Sequence, residues 1–216
     1  DEKGIKNAIS TTAIIAVTSG IFLLITGLLI AKPILEALDT PEDVIDLAVL
    51  YLRIYSLGMP FMMIYNFGAA ILRSLGDTKR PFYSLVVAGA INVGLNLLLV
   101  IEFEMSVAGV AVATVISNIV NAGIIVFFLT HEKGVFRLEL KQLSISKAEL
   151  KKILQIGVPA GIQGMVFSIS NVFVLATINS FGSAAVAGSS AALNYEYYCY
   201  FCLLYTSPSP RDMRRS

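Results

Sequence analysis

The sequence predicts an all-α fold, a polytopic transmembrane helix bundle, on three observations. Hydrophobic residues make up 56% of the 216 and charged residues only 14%, where a soluble domain carries about a quarter charged. The mean hydropathy is +0.76. The apolar residues also fall into runs of about 20, the length a helix needs to cross a hydrocarbon core. The net charge of +1 says little by itself. No basic tract carries interleaved aromatics, so nucleic acid is not an expected partner.

The first span is expected over 13–31, between Lys6 and Lys32. The second is expected over 40–75. Thr40 suits the N-cap, Pro41 the first helical position, and Glu42 and Asp43 the positive helix end. Gly76 supplies the stop. Arg53 and Arg73 lie 20 positions apart in it, roughly 30 Å along a helix. Each can therefore snorkel to an opposite interface.

The third span is expected over 81–101 and the fourth over 107–129, joined by the acidic turn "EFEMS". The stretch 131–152 is too charged to cross. Ser146 and Glu149 in it have capping-box spacing, which marks a helix start. That helix runs into the fifth span, 153–178, which Pro159 should kink or loosen. "NSFGS" is a turn, and a sixth span begins near Ala184 and reaches "NYEYYCYF". The tail 202–216 is Pro-, Ser- and Arg-rich and is expected to be non-native or disordered. Part of it looks like translated adapter sequence. The chain begins at Asp1 without Met or a signal-peptide pattern, so a fragment is expected.

Basic and base-poor connections alternate. The leader holds Lys3 and Lys6, the turn "LRSLGDTKRP" holds Arg73, Lys79 and Arg80, and the stretch 131–152 holds six bases. Lys and Arg collect on the cytoplasmic side. These three connections are therefore expected inside, with Arg73, Lys79 and Arg80 as topology determinants.

Polar side chains punctuate the spans. Asn92 and Asn96 stand four apart, on one helix face. Thr114, Ser117, Asn118 and Asn121 follow in the fourth span, and Gln163, Ser168, Ser170 and Asn171 in the fifth. Two readings stand side by side: interhelical glue, at about 0.6 kcal/mol per bond, or the lining of a water-filled cavity. Small residues in "VAGVAVAT", and the spacing of Gly157 and Gly161, predict close helix packing. No catalytic set is expected: His131 stands alone in a polar connection, and no phosphate-loop motif occurs. Cys199 and Cys202 make neither a metal site nor a disulfide framework, and no metal or cofactor is expected.

Two stretches resemble a known family. "AAILRSLGDTKRPFYSLVVAGAINVGLNLLLV", followed by "SVAGVAVATVISNIVNAG", resembles the fourth to sixth helices of the multidrug and toxic compound extrusion (MATE) transporters. "IGVPAGIQGMVFSISNVFVLATINSFGSAAVAG" resembles the seventh helix and the start of the eighth. The resemblance implies a partial two-lobe fold covering roughly helices three to eight of twelve. Residues 1–130 would form part of the first transmembrane lobe, with four helices. Residues 131–152 would be the cytoplasmic inter-lobe linker and 153–201 the start of the second lobe.

It further implies a secondary active antiporter, not an enzyme. Such a protein exports organic, often cationic, small molecules in exchange for H⁺ or Na⁺ by alternating access. Its place would be a bacterial inner (plasma) membrane, as a monomer when full length. By motif position Asn92, Asn96 and Thr114 match members of the first-lobe ion pocket. Gln163, Ser168 and Asn171 are weaker second-lobe candidates. Some relatives carry aspartate where Asn96 stands, and an amide takes up no proton at physiological pH. The rivals are a lipid-linked oligosaccharide flippase of the same superfamily and a non-transporting membrane scaffold subunit.

Overall fold

The computed structural model describes residues 2–38, 40–132, 136–139 and 143–206. The helices are α1 (Glu2–Ala37), α2 (Ile45–Leu57), α3 (Met59–Ser74), α4 (Lys79–Leu97), α5 (Ser106–Thr130), α6 (Lys147–Asn179) and α7 (Ser183–Thr206). A π-helical turn, Leu98–Glu102, extends α4. Among the described residues, four helical stretches are long and apolar enough to cross a membrane: Gly4–Ala37, Lys79–Glu102, Ser106–Thr130 and Lys147–Asn179. The α2–α3 pair adds a fifth if counted as one bent span.

The expected sixth span, α7, is not among them. Its serines and the run "NYEYYCY" dilute the apolar content that a lipid-facing helix needs. Its helix continues to Thr206, past the expected change of character near Phe201, and the rest of the expected tail, 207–216, lies outside the described residues.

The second span is not one straight helix. It breaks between α2 and α3 with a bend of 48°. Pro60 has no N–H to give, and its ring crowds the preceding turn, so the helix restarts with proline in its first turn. Its start also differs from expectation. Val44 N–H and Ile45 N–H both donate to Pro41 O, at 3.1 Å, in a tight turn, and α2 begins at Ile45 rather than after Thr40.

The stop at Gly76 is as expected. Gly76 has φ +81°, Asp77 N–H donates to Leu72 O at 3.1 Å, and Gly76 N–H donates to Arg73 O at 3.0 Å. This is the two-bond Schellman closure, and it needs a left-handed residue that only glycine supplies without strain.

Ser146 holds the N-cap position of α6, but neither half of the expected capping box forms. The Ser146 hydroxyl makes no cap bond, and Glu149 pairs with Lys152. Instead Ser146 N–H donates to Thr11 Oγ1 at 3.1 Å, tying the start of α6 to α1. Helix α6 runs through Pro159 without interruption.

Between helices the spacing is set by small residues. Lipid is as apolar as leucine, so helices associate in a bilayer by close van der Waals fit rather than by escape from water. Helix α1 receives Pro60 of α3 at Gly20 and Ser56 of α2 at Gly27, and Gly68 of α3 receives Ile125 of α5. Ala111 and Ala113 of "VAGVAVAT" are fully buried. By contrast, nothing lies within 4 Å of where a Cβ would stand at Gly157 or Gly161. That glycine pair is not a packing seam among the described residues, because α6 meets α1 and α7 only sparsely and is exposed over most of its length.

One end of the bundle gathers Ile9 of α1, Ala69 and Leu72 of α3, Ile125 and Leu129 of α5, and Leu138 from the connection after α5 into a buried cluster. Lys6 pairs with Glu139 across the same end at 3.3 Å. The basic leader, the "LRSLGDTKRP" turn and the polar connection thus meet at one end. At the opposite end Asn179 Nδ2 donates to Leu38 O at 2.7 Å, joining the end of α6 to the end of α1.

Candidate functional site

Helices α4 and α5 run antiparallel, and their seam carries a ladder of polar pairs. Near the basic end, buried Ser84 donates to the side-chain oxygen of Asn121 and lies 3.2 Å from its main-chain oxygen. Two turns further along, Asn92 Nδ2 donates to Ser117 Oγ at 3.2 Å. Asn96 Nδ2 donates to Asn92 Oδ1 at 3.0 Å, as spacing of four on one helix allows. Ser117 Oγ in turn donates to Thr114 O at 2.9 Å.

The structure therefore brings Asn92 and Asn96 into direct contact. Thr114 joins them through Ser117 and through its own main-chain oxygen. The Thr114 hydroxyl donates back to Val110 O at 2.9 Å, so its proton is spent within α5 while its lone pairs remain. Ser117 is the link that the candidate set lacked. It stood among four polar residues of the fourth span, and only the rotation of α5 against α4 singles it out. Ser84, flanked by apolar residues, gave no pattern.

One atom in this network is left over. Asn96 Oδ1 is buried and accepts no hydrogen bond. An unpaired buried carbonyl costs about 1–3 kcal/mol, so a donor or a cation that reached it would be stabilising. The neighbouring acceptors are of one kind: amide, hydroxyl and main-chain oxygens. Such hard oxygen donors suit an alkali or alkaline-earth ion, or the N–H groups of an organic ammonium. None of them titrates near neutral pH.

The weaker candidates sit elsewhere. Gln163, Ser168 and Asn171 are exposed on α6. Gln163 and Asn171 face a shallow depression with Phe167 and Ser170; Ser168 is not on its wall. No hydrogen bond joins the three to the α4–α5 set among the described residues.

The basic turn has more structure than a topology signal needs. Arg73 and Lys79 are exposed. Arg80 is half-buried, bonds both Asp77 and Glu132, and lies 5.9 Å from the Phe128 ring centre. Asp77 Oδ1 accepts from Lys79 N–H at 3.0 Å and Arg80 N–H at 3.1 Å, capping α4. The Arg80 side chain, and then these main-chain bonds, hold the Asp77 carboxyl below its ordinary range. Arg80 thereby pins the start of α4 to the end of α5. His131 Nδ1 lies 2.9 Å from Phe127 O, closing the last turn of α5.

Bilayer-length helices with an oxygen-lined polar set between two of them are those of a multi-pass membrane protein. A model of the MatE family matches residues 1–98. The probable multidrug resistance protein YoeA of Bacillus subtilis (strain 168) is 32% identical over 194 residues, 87% of this chain and 42% of YoeA. The multidrug export protein MepA of Staphylococcus aureus (strain MRSA252) is 21% identical over 168 residues, 78% of this chain and 37% of MepA.

Among solved structures, a MOP-superfamily transporter from Pyrococcus furiosus aligns with a TM-score of 0.78 at 25% identity, covering 91% of this chain and 44% of that one. A MATE structure in a bent conformation aligns with a TM-score of 0.75 at 25% identity, covering 90% and 44%. The chain belongs to the MATE family, a family of multidrug efflux transporters and not of enzymes. It spans about two fifths of the length of the curated relatives it matches.

Proposed function

We propose that this chain works within a secondary active antiporter. It would export organic, often cationic, small molecules in exchange for H⁺ or Na⁺, by alternating access in a bacterial inner membrane, and act as a monomer. Residues 1–130 serve as part of the first lobe, 131–152 as the cytoplasmic link, and 153–201 as the start of the second lobe. Residues 133–135 and 140–142 of the link lie outside the described residues. Arg73, Lys79 and Arg80 keep their turn on the cytoplasmic side, and Gln163, Ser168 and Asn171 serve as the weaker second-lobe candidates.

The single observation that carries the site is the orphaned Asn96 Oδ1 beside Asn92, Ser117 and Thr114. A pocket of neutral oxygens takes a cation by coordination but takes up no proton. These residues therefore favour Na⁺ over H⁺ at this position, and proton coupling needs an acid outside this set.

The test is Asn96→Ala in a full-length chain carrying these residues. Dye and drug efflux from vesicles should fall at least about tenfold, the loss of roughly one good ion contact of about 1.4 kcal/mol. The protein level in the membrane should stay unchanged. Unaltered efflux removes Asn96 from the mechanism.

A further inference from the structure

The described chain encloses a second, chemically different space at its basic end. An apolar slot of about 260 Å³ lies between α1, α3 and α5. Val17, Phe67, Ile71 and Leu129 form its walls, and Leu138 and Leu143 of the polar connection roof it. Among the described residues the only polar side chain on its wall is Thr18, which spends its hydroxyl on Ile14 O at 2.9 Å. The slot therefore offers nothing to a polar solute or to water, which needs two or more partners. Val17 is also 42% exposed, so the slot opens onto the surface of a membrane-spanning helix.

Two exposed cations lie close in sequence to the residues that roof the slot. Arg137 adjoins Leu138, which roofs the slot, and Leu138 N–H donates to Leu129 O at 2.9 Å. Lys147 follows Ser146, whose N–H is bound to Thr11, two residues before Ala13 on the slot wall. Both cations are exposed, and neither has an ion pair among the described residues. The nearby carboxylates are already engaged: Glu132 by Arg80, Glu139 by Lys6 and Glu149 by Lys152.

We propose that this slot binds one acyl chain of an anionic phospholipid of the cytoplasmic leaflet, with its phosphate held by Arg137 and Lys147. The combination selects that occupant. A dry aliphatic slot that opens on the surface of a membrane-spanning helix accepts a lipid tail. Two unpaired cations at the interface attract an anionic headgroup and oppose a cationic amphiphile. The site is separate from the α4–α5 polar set, since the slot lies on α1, α3 and the far end of α5.

The chain contains no tryptophan, which gives a direct test. Phe67→Trp puts the sole indole on the slot wall, and Phe22→Trp puts it on the exposed outer face of α1. Each variant is reconstituted in vesicles of phosphatidylcholine with a minor fraction of phosphatidylglycerol. The acyl chains of one lipid or the other are brominated.

In the Phe67→Trp variant, brominated phosphatidylglycerol should quench the indole more strongly than brominated phosphatidylcholine at equal mole fraction. The Phe22→Trp variant should show no preference. Arg137→Gln and Lys147→Gln should each reduce the preference about fivefold, the value of one interfacial cation. Equal quenching of the slot-wall indole by both lipids overturns the proposal. So does quenching of the outer-face indole but not the slot-wall one by either lipid, which would mean that protein fills the slot. Efflux plays no part in the readout, so this outcome is independent of the transport reading.

Discussion

Asn96 concentrates the chemistry of the polar seam in one atom. Its amide nitrogen is paired and its oxygen is not. Asn96→Leu removes that orphan but strips Asn92 Oδ1 of its donor, exchanging one unpaired acceptor for another. Thermal unfolding in detergent should therefore change by no more than about 1 kcal/mol, while efflux is lost. A large loss of stability would make Asn96 glue rather than site. Asn96→Asp places a titratable carboxyl where the parent pocket has only neutral oxygens. Efflux by that variant should acquire a pH dependence that the parent pocket cannot supply, read from transport rates across a pH series.

Asp77 lies in the turn between α3 and α4. Its carboxyl is held below its ordinary value, first by Arg80. A depressed group contributes stability that is complete above the unfolded pKa and is lost as pH falls through the folded one. Arg80→Gln removes the largest cause and returns the folded pKa toward the unfolded value of about 4, so the variant should be less stable than the parent at pH 6, and the gap should close as the pH falls toward 3. Following the unfolding midpoint from pH 6 to pH 3 checks this. The asparagines were legible because four-residue spacing inside an apolar run is visible in one dimension. Ser117, Ser84 and the Arg80–Glu132 pair were not, because each depends on how one helix is turned against another.

At the level of elements, glycine decides how closely the helices approach, and its positions make unequal predictions. A Cβ at Gly68 would collide with Ile125 Cγ2, in the buried cluster. Gly68→Val should cost about 1–3 kcal/mol through overpacking, and Ile125→Ala in the same chain should return part of it. A Cβ at Gly89 meets nothing within 4 Å, so Gly89→Ala should be neutral, or stabilising by up to about 1 kcal/mol from helix propensity. Thermal unfolding of both variants separates the two cases, and equal effects would deny the α3–α5 fit its role. Span boundaries at "EFEMS" and Gly76 were readable, since charge, turn residues and left-handed glycine act locally. The Gly58 break was not read. A hydropathy run crosses "GMP" without a dip, while the proline acts through backbone sterics that hydropathy does not register. The Gly157–Gly161 spacing misled for the converse reason: a small-residue face becomes a seam only when a partner helix lies on it.

For the whole molecule, the contacts impose an arrangement that charge alone only implied. The cluster of Ile9, Leu72, Leu129 and Leu138, the Lys6–Glu139 pair and the Ser146–Thr11 bond fasten the leader, the second connection and the stretch after α5 to one end. The acidic turn 103–105 and the Leu38–Asn179 bond then fall at the other. This holds only if the bent α2–α3 pair crosses once. If α2 and α3 instead folded back as a re-entrant loop, the turn at Thr78 and the turn at Glu104 would exchange sides relative to the leader. Both residues are exposed, and the chain has two cysteines, Cys199 and Cys202, which serine can replace. In that background, Thr78→Cys should react with a membrane-impermeant thiol reagent only from the cytoplasmic side, and Glu104→Cys only from the outside. The same pattern with Arg73, Lys79 and Arg80 all changed to Gln would show that packing, and not the positive-inside bias, holds the turn in place. Loss of sidedness in that triple variant would assign the role to the charges. Labelling of Thr78→Cys from outside in the parent background would replace the bent span with a re-entrant loop.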